Sequence, residues 1–236
     1  MTQITFPGAP VVCVTLRRSA RARRYSLRVS RIKGSVTLTL PTRASQEEAI
    51  AFARDKLDWI REHLGACMAP VLAVPGARIL VEGTQRCVQL SQSSRTIELT
   101  PTELRVPVKA GNVGLHIEAF LKHRARDRLA VASDRYAAQL GCSYNTLSLR
   151  DTRSRWGSCS SQGRLMYSWR LVLAPPQVLD YVAAHEVAHL AEMNHSPRFW
   201  AHVATLCPDY ARHRAWLRQE GETLHRYRFR AEEIAG

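Results

Sequence analysis

The segment HEVAHLAEMNH, residues 185–195, places three histidines and an early glutamate within eleven positions. On an α-helix, residues four apart lie one turn apart on the same face, so His185 and His189 can aim imidazole nitrogens at one ion. Glu186 is rotated by about 100° from His185, near enough to reach a metal-activated water without being a ligand. A catalytic zinc ion usually takes three protein ligands, and it lowers the pKa of a water to about 7, where a carboxylate can remove the proton. Glu192 shares the stripe with the two histidines but stands about 10.5 Å from His185 along a straight helix, too far for three donors in a line to converge. His195 becomes the third donor only if the helix stops and the chain turns back. Asn194 tolerates the left-handed conformation of a helix C-cap, and Ser196-Pro197 suits the immediate start of another helix. The expected site is therefore Zn²⁺ on His185, His189 and His195, with Glu186 as the catalytic base. His63, His116, His123, His202, His213 and His225 show no ligand spacing to this cluster and read as structural or solvated.

The elements that must carry these residues follow from periodicity and punctuation. Asp180 falls in the first turns of a helix that Pro175-Pro176 introduces and that carries VLDYVAAHEVAHLAEM. Upstream, LSLRDTRSRWGSCSSQGRLMYSWRLVLAPP reads as two apolar-rich strands around a Ser160 to Gly163 turn, a hairpin. Leu115 to Leu140 has a helical pattern that Gly141 ends. Near the start, Val11 to Leu16, Tyr25 to Ser30 and Val36 to Leu40 read as antiparallel strands, with Lys33-Gly34 as a turn. A helix over Ser45–Leu64 follows, with Ser45 and Glu48 in capping-box relation and Gly65 as its stop. Arg78 to Val106 supplies further short strands, and Gly111 to Gly114 reads as a hinge. The expected domains are thus a β-rich N-terminal region over residues 1–110 and a catalytic region over 111–236.

The composition sets the bounds. The chain has 236 residues, 45% hydrophobic and 23% charged, which fits a folded domain and argues against disorder. No apolar run reaches the length of a membrane span, and MTQITFPGAP lacks the pattern of a secretory leader, so no membrane partner is expected. Six cysteines lie apart without a CxxC pair, which suits reduced thiols and a cytoplasmic location. The formal charge of +14 is unevenly spread: Arg17 to Lys33 holds eight basic residues and no acid, a field able to contact nucleic acid.

Arg155-Trp156-Gly157-Ser158-Cys159-Ser160, Trp169-Arg170-Leu171, Asp180-Tyr181-Val182 and Asn194-His195-Ser196 with Phe199-Trp200 resemble the YgjP-like metallopeptidase-domain family, related to the M48 and SprT-like zincins. The likeness is strongest over residues 150–205. It implies an α+β, zincin-like catalytic core with an active-site helix beside a β-hairpin, added to the N-terminal antiparallel β-rich region. It also implies zinc on His185, His189 and His195 and Glu186 as base. A hairpin over Ser154 to Trp169 would offer a strand edge to an extended peptide. Glu192 in place of a glycine, and no methionine after His195, depart from the metzincin pattern.

A zinc-dependent metallopeptidase acting on a peptide or protein is the expected function. The same resemblance carries an association with nucleoside triphosphate (UTP) pyrophosphatase activity, for which Arg150, Arg153, Arg155, Arg164 and Arg170 are candidate phosphate clamps. A third expectation is a nucleic-acid-associated SprT-like protease docking through Arg17–Lys33. Trp156, Trp169 and Trp200 read as core packing, while Tyr167 and Tyr181 are candidate oxyanion donors.

Overall fold

Strict alternation in Val36-Thr-Leu-Thr-Leu40 buries one residue in two, and the N-terminal sheet is built on that rule. The computed structural model describes residues 2–30, 34–65 and 68–230. Lys33, the first residue of the expected turn, and Cys67 lie outside them. The contacts divide the chain into two compact units, Met1–Ala69 and Pro70–Gly236.

The first unit runs β1 (Thr2–Phe6), β2 (Val12–Ser19), β3 (Ser26–Val29), β4 (Val36–Pro41), α1 (Gln46–Asp55) and α2 (Leu57–Gly65). Its sheet has the order β1-β2-β4-β3. The pair β3–β4 is antiparallel, as expected, and β1, a strand the sequence reading did not include, pairs antiparallel with β2, but the central pair β2–β4 is parallel, with Val14 opposite Val36. The reason is topological: β3 lies outside β4 at the sheet edge, so β4 returns in the direction of β2. Val12, Val14, Leu16, Val36, Leu38 and Leu40 turn to one face and form a core with Ala49, Ala53 and Ile60 of the helices. Each buried Val or Leu contributes about 1.5–3 kcal/mol. Ser45 caps α1 by accepting from the Glu47 amide, and the reciprocal half of the expected capping box is missing because Glu48 accepts from the Tyr25 hydroxyl instead. The helix expected as one piece is broken at Lys56, which leaves helical geometry at ψ 11°; no proline or glycine marks that break.

The second unit contains β5 (Val71–Leu72), β6 (Arg78–Val81), β7 (Thr84–Ser91), β8 (Glu98–Leu99) and β9 (Glu103–Pro107). Then come α3 (Val113–Leu140), β10 (Thr146–Arg150), β11 (Gly157–Cys159), β12 (Arg164–Ser168), a 3-10 segment at Trp169–Leu173, α4 (Pro176–Ala191), α5 (Pro197–Leu206), α6 (Tyr210–Glu220) and β13 (Tyr227–Arg228). Trp169–Leu173 was expected to continue a strand. It coils into the core instead, burying all five of its residues. Glu82 and Gly83 both take positive φ in the tight turn between β6 and β7, the geometry that two-residue hairpins prefer.

The division at Ala69/Pro70 replaces the expected boundary at 110/111. Ile79, Val81, Val88, Leu104 and Val106 from β6, β7 and β9 share one core with Ile117 and Leu121 of α3 and with Val182 and Val187 of α4. Residues 70–110 therefore pack with residues 111–230, and the segment at Gly111 leads directly into α3, which Asn112 caps and Gly141 ends in the left-handed conformation. The architecture is mixed α+β. Among the described residues, no helix is long and apolar enough to cross a membrane.

Candidate metal centre

α4 is apolar nearly all round, and ten of its sixteen residues are buried with only Gln177 and Ala191 exposed, which fixes its rotation and so the direction of its histidines. His185 and His189 project from one face. The helix ends at Ala191, and Glu192 is its C-cap in extended geometry, φ −143° and ψ 106°. The bend is thus made at Glu192. Asn194 is not left-handed, contrary to expectation: Glu82 is the one non-glycine residue with positive φ among the described residues. Asn194 instead stabilises the turn by donating from Nδ2 to the Glu192 carboxylate at 2.7 Å. Ser196 accepts from the Phe199 amide and starts α5 with Pro197 in the first turn, as its sequence implied.

The turn brings His195 back alongside its two predecessors. One donor atom from each of His185, His189 and His195 lies within 4.8 Å of the others, and the Nε2 atoms of His185 and His195 are 3.2 Å apart. Two nitrogens held tetrahedrally at about 2.0–2.1 Å from one zinc ion stand about 3.3 Å apart, so that spacing suits a shared cation. The Nδ1 atom of His189 is 3.1 Å from the Glu192 carbonyl. A carbonyl only accepts, so Nδ1 carries the proton and Nε2 keeps its lone pair for a ligand role. Burial, reinforced by His189 and His195, pushes the His185 pKa down to about 3, and burial also lowers His189. Both rings are therefore neutral at physiological pH. The Nδ1 atom of His185 is buried without a hydrogen-bond partner. The donor set fits a borderline-soft divalent ion, and zinc is the common choice for neutral imidazoles.

Phe199 packs against all three rings, with centroids 4.9, 4.4 and 4.8 Å from His185, His189 and His195. Trp200 adds contacts at 5.8 and 5.9 Å to His185 and His195. These residues hold ring orientation, a role that periodicity alone did not assign.

Glu186 is 6% exposed and its pKa is pushed up to about 8, because burial outweighs the opposing pull of Arg155 and a hydrogen bond from the Cys159 backbone. Its side chain lies against β11, where an added Cβ on Gly157 would come within 2.6 Å of its Cγ and Oε1. Gly157 therefore leaves the room that Glu186 occupies. The loop before β11 is anchored from beneath. Arg170, expected as a phosphate clamp, is buried and gives two hydrogen bonds to Asp151 at 2.7 and 3.0 Å and two more to the carbonyls of Leu224 and Tyr227. Trp156 stacks on His225 at 5.2 Å. Arg150, Arg153, Arg155 and Arg164 are exposed.

The expected hairpin is present as β11 and β12, with Gly157 opposite Tyr167 and Cys159 opposite Leu165. The sheet order β10-β12-β11 leaves β11 at an edge. A cavity of about 240 Å³ is lined by Gly157, Ser158, Cys159, His185, Glu186, His189, Met193 and His195. Cys159 is no nucleophile there, since burial and Glu186 raise its pKa to about 11. Neither tyrosine candidate lines the cavity. Tyr167 is buried and paired with the Ser133 hydroxyl, while Tyr181 meets His185 edge-on at 6.0 Å. Asp180 pairs with Arg135 at 3.0 Å and lies beyond the first turn of α4. None of the six other histidines joins a metal-ligating group among the described residues, and the five described cysteines are free thiols.

A family model described as YgjP-like, metallopeptidase domain, matches residues 23–220. No curated protein matches the sequence. Among solved structures, the crystal structure of the metallopeptidase zymogen of Pyrococcus abyssi abylysin aligns with a TM-score of 0.35 and 19% identity, over 38% of this chain and 93% of that one.

Proposed function

The chain belongs to the YgjP-like metallopeptidase-domain family, and from that premise we propose that it is a zinc-dependent peptidase with His185, His189 and His195 as ligands and Glu186 as general base. One observation supports this reading above the others: two imidazoles from α4 and a third from the turn that follows it come within 4.8 Å of one another, beside a buried carboxyl with no ion-pair partner among the described residues. When bound, zinc supplies a Lewis acid that polarises the scissile carbonyl and acidifies a water. Glu186 accepts a proton from that water through a carboxylate oxygen and delivers it to the departing amine nitrogen. Gly157 and the Cys159 backbone keep the carboxylate in place for both transfers. The rings of Phe199 and Trp200 fix the imidazole planes and exclude water from behind them. An extended peptide adds to the edge of β11 by backbone hydrogen bonds, which presents its carbonyl to the cavity. The cytoplasmic expectation stands as part of the same proposal. The nucleotide reading loses one of its five candidate phosphate clamps, because Arg170 is spent on Asp151 and on backbone carbonyls, while Arg150, Arg153, Arg155 and Arg164 are exposed.

Metal analysis of the purified protein and of His195→Ala, beside a panel of peptides and nucleoside triphosphates, tests the proposal. About one zinc per chain, lost with peptide hydrolysis in His195→Ala, is expected. Full metal content in that variant, or nucleotide hydrolysis without peptide hydrolysis, overturns it.

A further inference from the structure

The first unit carries a charge pattern that the hydrolase chemistry does not use. None of its first 46 residues is Asp or Glu. Its carboxylates, Glu47, Glu48, Asp55, Asp58 and Glu62, all fall on α1 and α2, which cover one face of the sheet. Strand register places Gln3, Thr15, Thr37 and Arg28 in one row on the opposite face, with Arg17, Thr39 and Ser26 in the next. Arg21, Arg23 and Arg24, in the connection from β2 to β3, are exposed, as are Arg17 and Arg28. Among the described residues, none of these five arginines forms an ion pair with a carboxylate. Arg18 differs, because it is committed to the carbonyls of Thr42 and Ala44. Arginine-rich composition explains the number of cations, but it does not explain why every acid of the unit lies on its helices.

We propose that this face binds double-stranded RNA through its sugar-phosphate backbone. Guanidinium groups with no carboxylate partner donate to phosphates, which only accept, and Arg17 already donates to the Thr39 hydroxyl within the face. The hydroxyls of Thr15, Thr37, Thr39 and Ser26 and the amide of Gln3 both donate and accept, which suits a ribose 2′-hydroxyl. Shape agrees with this. A four-stranded face is about 14 Å wide at about 4.8 Å between strands, so it lies against the wide, shallow minor groove of an A-form duplex. The minor groove of B-form DNA, about 6 Å wide, excludes it. The two rows contain no aromatic side chain, and Tyr25 is turned toward the helices by stacking on Phe52 and bonding Glu48. The stacking platform that single strands require is therefore missing.

Fluorescence anisotropy of the full chain with a duplex RNA of about 20 base pairs, the matching DNA duplex and each single strand, at about 50 to 200 mM salt, tests this. Duplex RNA is expected to bind tightest, with affinity falling steeply as salt rises. The variant R17E/R28E should weaken it at least ~10-fold and reduce the salt slope by about 2, with circular dichroism unchanged. The loop variant R21E/R23E/R24E touches no strand pairing and should act in the same direction. Glu186→Gln should bind as wild type does, which separates this result from the fate of the peptidase proposal. Equal or tighter binding of DNA or single strands, no salt-sensitive binding, or charge-reversed variants that bind like wild type overturn the inference.

Discussion

Glu82 and Glu186 are acids of the same kind within one compact unit, and their surroundings shift their pKa values in opposite directions. Burial acts on both to favour the neutral form. At Glu82 that effect is overcome by three hydrogen bonds, two from Arg124 at 3.0 and 2.8 Å and one from Arg128 at 2.7 Å, so the carboxyl is held below its usual range. Asp151 repeats the pattern, with Arg170 overcoming burial. Glu186 has only Arg155 near it and one backbone hydrogen bond, and its pKa rises to about 8. A carboxylate given a bidentate guanidinium becomes a strut; one denied it stays available for proton transfer.

The exchange of each acid for its amide breaks that comparison most directly. Glu186→Gln should lower peptide turnover by about 10³-fold or more while leaving the thermal midpoint unchanged or higher, since a neutral group replaces one disfavoured as an anion. Glu82→Gln should do the reverse: turnover within about twofold, and stability lower by about 1–2 kcal/mol as Arg124 and Arg128 lose their partner. Paired kinetic and melting measurements check this, and a stable, inactive Glu82→Gln would erase the distinction.

The pH dependence of the metal-free protein's stability sharpens it. Glu186 has a raised folded pKa, so its contribution is complete below about pH 4.5 and is lost as pH climbs through about 8. Glu82 has a lowered one, so its contribution is present above pH 4.5 and lost as pH falls through the folded value. His185 and His225, with pKa values brought down to about 3 and about 4 mainly by burial, add to the acid-side loss below about pH 6.5. Denaturant midpoints across pH should therefore show two limbs, the neutral-to-alkaline one flattened by Glu186→Gln and the acid one reduced by Glu82→Gln. A neutral limb that survives Glu186→Gln would show that some other group is responsible for it.

The smallest effect belongs to the seat of Glu186. Gly157→Ala sets a methyl group against the Glu186 carboxyl, and about a tenfold fall in kcat with KM and metal content nearly unchanged is expected. An equal loss in KM would point to the edge strand as the feature disturbed.

Much of the site could be read from local signals. The i, i+4 spacing put His185 and His189 on one face, and Ser196-Pro197 marked the start of α5. The bend itself was legible, but its mechanism was misassigned: Glu192 makes it in extended geometry and Asn194 only braces it. Arg170 looked like a free phosphate clamp because its partner Asp151 is 19 positions away and its carbonyl acceptors more than 50. The placement of residues 70–110 failed for the same reason. Turn signals locate strands, yet they do not say which core those strands join.

The amino-acid sequence alone determined the periodic faces, the helix starts and stops, and the donor types at residues 185–195. These depend on φ/ψ preferences and side-chain geometry within a few positions of each residue. The protonation of Glu186, the room that Gly157 leaves for it, the clasp of Arg170 and the parallel pairing of β2 with β4 were decided only in three dimensions. Desolvation and packing are set by whichever groups fold into contact, and chain proximity does not specify those groups.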